Sequence, residues 1–557
     1  MNIIDLWNNL FKYQKKQEYE FILPNSSNNL TENDNTQKNE EVFPTLTVNI
    51  EYLKIKYNLL INSDIKIRKF IIPVENKKVV AALLYIDGMV DEKTITNSVL
   101  TPLLLKNSIT MQEKKNFGRI TVKNSNKLNF NLENFIYNGL IPHNSVSKET
   151  HFEEILKKVN AGFCAVFVDT INKAFCIETK GFKGRSITKP ITENIVRGAQ
   201  EGFIENLRIN TSMLRKIINN ENLTIEEVDI GKISRTKVAI CYIKNIANDD
   251  LVAEVKYRVN NLDIDYLLSS GQLEQLIKDN PSASFPQTIA TERPDRVCNY
   301  LLNGRIAIIV NGTPFVLVVP AVFIDFLTAA EDINLNYHFA NLLKLIRAIA
   351  LFFAILLPGL YVAITTHHQE LIPSELLFAI ANARDAIPFP VIFEIIIMEI
   401  SFELIREAGL RVSSSFSTTI GIIGALILGD AAVSANIVSP ILIIIVAFTG
   451  ICSFAIPDFS LTSDIRVYRF AYIFLGYIAG FLGIAFGFFI HFIFMTSLNS
   501  FGVSYFAPYI PYNNINENEG YILKPVWKRE KRDNIFNTKR PNSESKISMK
   551  WRNIDAK

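Results

Sequence analysis

The sequence predicts an α/β cytoplasmic N-terminal domain of two subdomains, followed by a polytopic α-helical membrane domain. Two observations carry this expectation. Residues 342–364, 420–428 running on through 437–456, and 470–496 are apolar stretches ended by Pro, Gly or charge. Each is about as long as the hydrocarbon core of a bilayer requires, or can be joined to be so. Residues 50–282, by contrast, alternate short β-rich runs with helical periodicity, as a soluble α/β region does.

Taken in order, residues 1–49 are rich in Asn, Gln and charge and are expected to be a disordered extension. Residues 50–145 form the first expected subdomain, with strands at 70–74 and 79–87 as a hairpin-like pair. Residues 146–285 form the second. It holds a helix at 152–159, strands at 162–169 and 174–179, and a long amphipathic helix over 193–218. Strands at 224–228 and 236–243 and a helix at 249–260 complete it. Residues 286–341 are expected to be a juxtamembrane linker, in which the alternation around Asn311-Gly312 fits a hairpin abutting the membrane. The membrane domain takes 342–500 and a basic tail 501–557.

Composition excludes several function classes. The chain has 557 residues, room for about three domains. Its 58 Lys and Arg are nearly balanced by 55 Asp and Glu, which argues against a nucleic-acid partner. The tail is the exception, with eleven basic and four acidic residues over 524–557. Positive charge beside the last apolar stretch keeps that end cytoplasmic and favours contact with anionic membrane lipid. The chain start has no basic region followed by an apolar core, so the first part is expected to be cytoplasmic too. Both ends inside requires an even number of crossings. Cys164, Cys176, Cys241, Cys298 and Cys452 are scattered without a CxxC pair, which predicts reduced, buried thiols and no metal site. Gly181-Phe-Lys-Gly-Arg185 lacks the GK[ST] of a phosphate loop, and His143 and His151 precede no GxSxG elbow. Neither a cofactor nor an enzyme is expected.

Several segments are specific in combination. They are Thr291-Glu-Arg-Pro-Asp-Arg-Val297, Leu301-Leu-Asn-Gly-Arg305, Gly312-Thr-Pro-Phe-Val316, Pro388-Phe-Pro390, Phe402-Glu-Leu-Ile-Arg-Glu-Ala-Gly409, Ile420-Gly-Ile-Ile-Gly424 and Ser500-Phe-Gly-Val503. Together, over roughly 50–511, the chain resembles the A subunit of GerA-type spore germinant receptors. Asn299-Tyr300 and Asn303 depart from that pattern, where Ala and Glu are frequent. The resemblance implies a cytoplasmic domain, a helical membrane domain, and two partners: a transporter-like B subunit that binds nutrient and a C-subunit lipoprotein. It further implies a homo-oligomeric ring acting as a nutrient-gated ion channel in the spore inner membrane, triggering germination.

The membrane residues add their own expectations. Lys344 and Arg347 suit a cytoplasmic start for 342–364, with Arg347 snorkelling, and Pro358 should kink that helix. In 389–409, Glu399, Glu403 and Glu407 share a helix face about 80° wide at 100° per residue, beside Arg406. Carboxylates are costly in lipid, so this face should meet a cavity; repeated around an axis, with Asp430, it would form a cation vestibule. Alternatively Glu403 and Arg406 pair structurally, with Arg384, Arg406 and Arg411 near enough to neutralise the stripe. Gly421, Gly424 and Gly429 would let helices approach closely, and Ile422 and Ile423 are candidates for a hydrophobic gate. Asn436 and Ser439-Pro440 should break the helix. Gly476, Gly480, Gly483 and Gly487 in 470–496 read as a packing seam, and His491 as a satisfied interior group. Two other functions compete. A non-conducting scaffold would relay nutrient binding from the transporter-like partner, whereas a secondary transporter should show inverted repeats that the sequence lacks.

Overall fold

The computed structural model describes residues 21–24, 40–74, 77–105, 132–181, 189–411, 421, 424, 429–511, 521–529 and 531–543. Most of the Asn-rich start lies outside them, as do Ile422 and Ile423. The chain divides into two units. One holds Phe21–Lys278, Thr288–Pro320 and the tail from Arg529; the other holds Asp279–Gln287 and Ala321–Lys528.

The first unit is built on two antiparallel sheets. The first sheet has strands β1 (Ile65–Val74), β2 (Lys77–Ile86), β3 (Val146–Glu149), β4 (Phe163–Val168) and β5 (Ala174–Glu178), in the order β1-β2-β4-β5-β3. Successive strand residues point to opposite faces, and here both faces are covered. Ala81, Leu83, Cys164, Val166 and Phe175 join one core beneath the helical segments around Val99 and Ile136. Ala82, Leu84, Ala165, Phe167 and Cys176 join another, under helices α1 (Leu46–Lys56) and α2 (Phe152–Asn160). Helix α2 turns Phe152, Ile155, Leu156 and Val159 to that core, the i, i+3, i+4, i+7 stripe of an amphipathic helix.

The expected boundary at residue 145 is corrected by this pairing. β3 pairs with β5, and β4 with β2, so one sheet draws strands from both sides of it. A second correction concerns 193–218. The helix there, α3, covers only Leu207–Ile217, opened by the Asn206 side chain accepting from the amides of Arg208 and Ile209. Residues 191–206 form neither helix nor strand, because a distant motif holds their backbone. The Glu292 carboxylate accepts from the amides of Ile191 (2.8 Å) and Thr192 (3.3 Å). Arg293 donates to the carbonyls of Glu193 (3.2 Å) and Ala199 (2.7 Å), and Arg296 reaches the Glu193 carboxylate at 2.5 Å. The segment Thr291–Val297 is thus a clamp on an irregular loop.

The second sheet has β6 (Leu223–Ile230), β7 (Thr236–Ile243), β8 (Ile289–Thr291), β9 (Ile306–Val310) and β10 (Val316–Val319), in the order β6-β7-β9-β10-β8. Helix α4 spans Asp249–Asn260 and helix α5 spans Pro294–Leu302. The hairpin expected against the membrane is therefore β9–β10, wholly buried inside this sheet. Its apolar alternation reflects a two-sided core, not contact with lipid. The sheets are joined by a buried ion pair in which Arg215 donates through both Nε and Nη2 to Asp64, the latter at 2.9 Å. Beside it the Asn62 side chain accepts from the Ile225 amide at 2.7 Å.

The basic tail also differs from a solvated segment over 531–543. Arg532 donates to the carbonyls of Leu302 (2.7 Å) and Arg540 (2.9 Å), and Lys539 to that of Lys244 (3.0 Å). Phe536 is fully buried, with the Arg305 guanidinium 4.3 Å above its ring. Burial, then the neighbouring Arg540, pushes the Arg532 guanidinium down to about 10. Gly304, at φ +86°, must be glycine because a Cβ there would meet the Thr538 methyl.

All five cysteines are free and buried. Burial raises the thiols of Cys164, Cys176 and Cys298 to about 12, leaving on the order of one in ten thousand as reactive thiolate at pH 8. Maleimide at pH 8 is expected to label these three only after denaturation; rapid labelling of the native protein contradicts this packing.

Candidate ion-pathway site

The second unit is helical. Its described helices are α6 (Tyr337–His367), α7 (Ser374–Arg384), α8 (Val391–Arg411), α9 (Pro440–Phe454) and α10 (Phe459–Ser497). Among the described residues α6 and α10 are long and apolar enough to cross a membrane. At about 1.5 Å per residue, however, the 39 residues of α10 far exceed a bilayer core. The backbone explains this. Ala479 and Gly480 are non-helical, Gly480 at φ +58°, and the chain reverses there. His491 lies 4.5 Å from Tyr468 ring to ring, and a Cβ on Gly483 would strike the Leu475 carbonyl. Contacts between residues this far apart in sequence require two antiparallel arms, 459–478 and 481–497, where 470–496 read as one stretch.

The glycine seam has a defined role in this packing. Gly483 and Gly487 lie between the arms, while Gly476 meets α6. A Cβ on Gly476 would fall 2.5 Å from the Gly359 carbonyl oxygen, and one on Gly359 would fall 2.6 Å from that of Tyr472. The backbones of α6 and the first arm therefore touch. Tyr472 and His491 Nδ1 are 3.3 Å apart, in hydrogen-bonding range, so that polar group is satisfied inside the bundle. Between α6 and the two arms lies an apolar cavity of about 260 Å³, bordered by Phe352, Leu356, Phe488 and His491.

Charge enters this apolar packing beside Pro358. Pro358 lies inside α6 and has no N–H, so the carbonyl four residues earlier, of Ala354, loses its helical donor. Arg469 of the first arm replaces it, with Nε 2.9 Å from that oxygen. The same guanidinium donates through Nη1 to Glu399 Oε2 of α8 at 2.8 Å. Both side chains are essentially unexposed, at 1% and 0%. A second rung follows, in which Arg466 donates to Glu403 at 3.2 Å. Arg406 stands 3.6 Å from the other Glu403 oxygen and donates to Ser453 on α9 at 3.3 Å.

The expected acidic stripe is thus present on one helix, and its carboxylates are paired within the chain. Glu407 pairs with Arg411 at an exposed position, and the buried Glu394 lies 3.4 Å from Arg384. Sequence reading named Arg384, Arg406 and Arg411 as neutralising groups but missed Arg466 and Arg469. Their signal was available as two arginines inside an otherwise apolar run. Arg347 does not simply snorkel; it is bidentate to Asp332, at 2.6 and 3.0 Å. Asp430 and Gly421 are exposed. Gly424 packs on Ile405, while Gly421 and Gly429 have no neighbour within 4 Å of an added Cβ among the described residues. Ile422 and Ile423 lie outside the described residues.

An α/β region followed by apolar helices that bury a column of ion pairs is the make-up of a membrane-associated protein. Comparison gives the family. Residues 51–535 match the Bacillus/Clostridium GerA spore germination protein family. The chain is 38% identical over 491 residues to spore germination protein KA of Bacillus subtilis, covering 88% of this chain and 86% of that protein. It is 37% identical over 454 residues to the uncharacterized membrane protein YfkQ of B. subtilis, covering 82% and 85%. Among solved structures, the N-terminal domain of the A subunit of the Bacillus megaterium germinant receptor GerK3 is 34% identical, at a TM-score of 0.37, covering 52% of this chain and 99% of that one. The chain belongs to the GerA family, as an A-type subunit of spore germinant receptors.

Proposed function

We propose that copies of this chain surround a water-filled axis as a nutrient-gated cation channel in the spore inner membrane. A transporter-like B subunit binds the nutrient, and a C-subunit lipoprotein completes the receptor. The observation that carries this reading is the column of ionisable side chains Glu399, Glu403, Arg406, Arg466 and Arg469 inside apolar helices. Charges at such depth are expensive and are kept where they face a polar path or a functional partner. Docking of 531–543 on the second sheet supports placing the tail and the N-terminal domain on the same, cytoplasmic, side. That arrangement requires an even number of crossings.

The scaffold reading has one observation in its favour. Every carboxylate of the stripe is already neutralised within the chain, so a closed subunit presents no free acidic ring. Reconstitution of the complex in liposomes separates the two readings. A channel passes cations on addition of nutrient, and Ile422→Ala and Ile423→Ala raise the leak several-fold because smaller side chains keep a hydrophobic constriction wet. A complex that signals without current favours the scaffold, and an unchanged leak in assembled variants removes these two isoleucines as the gate.

A further inference from the structure

We propose that Arg469 is the closing latch of the membrane domain, and that its separation from Glu399 turns the ion path from cation-repelling to cation-attracting. The inference rests on the channel reading. Arg469 ties three helices together: its own arm, α6 through the Ala354 carbonyl left free by Pro358, and α8 through Glu399. A joint of this kind is bistable rather than elastic. A guanidinium and a carboxylate excluded from water are held in contact or parted by water, with little stable ground between.

The joint is also incompletely satisfied. A guanidinium and a carboxylate can form two parallel bonds, yet this pair forms one. Glu399 Oε1 and Arg469 Nη2 are buried and have no hydrogen-bond partner among the described residues. This lowers the cost of parting the pair, because each orphaned atom gains a partner once water enters.

Charge then gives the direction of the switch. With the first arm in place, three guanidinium groups (Arg406, Arg466 and Arg469) surround two carboxylates (Glu399 and Glu403), so the cluster carries net positive charge and repels cations. Arg466 and Arg469 belong to the first arm, whereas both carboxylates and Arg406 belong to α8. Moving the arm away from α8 removes two positive charges together and leaves two carboxylates against one arginine. The same residues that close the path become the acidic vestibule. Glu407 adds nothing to either state because Arg411, on its own helix, stays with it.

The test uses the full receptor complex in liposomes, measuring potassium flux with and without nutrient. Arg469→Gln is expected to raise nutrient-independent flux on the order of tenfold, within the usual range of coupling between linked sites. Arg469→Lys, which keeps the charge on Glu399, is expected to restore most of the closure. Arg466→Gln, at a less buried position, is expected to raise basal flux by a smaller factor; it also serves as the reporter if Arg469→Gln does not assemble. Glu399→Gln is expected to reduce the preference for potassium over chloride in the open state. Assembled Arg466→Gln or Arg469→Gln complexes with wild-type basal flux overturn the latch. A wild-type complex that passes no ion with nutrient overturns the channel reading instead.

Discussion

Replacing Asp64 by alanine is expected to destabilise the N-terminal α/β domain by roughly 3–5 kcal/mol. Arg215 is 2% exposed and spends both Nε and Nη2 on this carboxylate. Truncating Asp64 leaves a full charge buried with no counter-charge in contact. Taking such a charge from water is what makes a buried pair costly to break, although an apolar pair of similar volume would serve stability as well. Arg215→Met strands the equally buried Asp64 carboxylate and should cost a comparable amount, whereas Asp64→Leu with Arg215→Met should recover much of the loss. Domains typically retain about 5–15 kcal/mol of stability, so the single change removes roughly a fifth or more of it. The loss is concentrated between the sheets, because Ser63 also donates its amide to the Ile225 carbonyl at 3.2 Å beside the pair. Urea unfolding of the purified full-length chain, followed by hydrogen exchange at β6 and β1, measures the effect. A shift below about 1 kcal/mol shows that the pair is hydrated in solution, like a surface ion pair.

Most strands of the N-terminal α/β domain were legible in the sequence because their residues are apolar in runs bounded by turns, but the short β3 and β8 gave no such run. The grouping of the strands was not legible. β4 pairs with β2, a long-range pairing that no local window contains, and so the boundary expected at 145 fell inside a sheet. The reading of 193–218 as one helix failed for a related reason. Its apolar spacing is helical, but Glu292, Arg293 and Arg296, about one hundred residues away, bind the backbone of 191–199 in a different shape. Tertiary contacts there outweigh a weak local preference. In the membrane domain the acidic face of α8 was readable from spacing alone, because helix period places Glu399 and Glu403 together. Its partners were not, since Arg466 and Arg469 approach only after the chain has passed through α9 and begun α10. The turn at Gly480 had a usable signal in length, since 459–497 is nearly twice what one crossing needs.

Gly476→Ala is expected to be among the most damaging one-methyl changes in the helical unit, and it acts between α6 and the first arm. Most added methyl groups meet a side chain that can rotate away. This one meets the Gly359 carbonyl oxygen at 2.5 Å, and the reciprocal change at Gly359 meets that of Tyr472 at 2.6 Å. Both obstacles are backbone, so the only relief is to separate α6 from the first arm along their contact. Overpacking of this kind costs typically 1–3 kcal/mol where neighbours can adjust, and rigid helix backbones place it at or above the upper end. Small residues at helix crossings exist to permit such approach in lipid, where burial of apolar surface supplies no compensating drive. Separation would also pull Arg469 from the Ala354 carbonyl, exposing the acceptor that Pro358 leaves without a donor. The effect on closure should therefore exceed the effect on stability. The solubilised complex should melt lower, and its nutrient-independent flux should rise alongside that of Arg469→Gln. Gly429→Ala, whose added methyl meets nothing within 4 Å among the described residues, provides the comparison. If Gly476→Ala melts and leaks as that variant does, the helices are not in backbone contact, and the joint built on that contact is wrong with it.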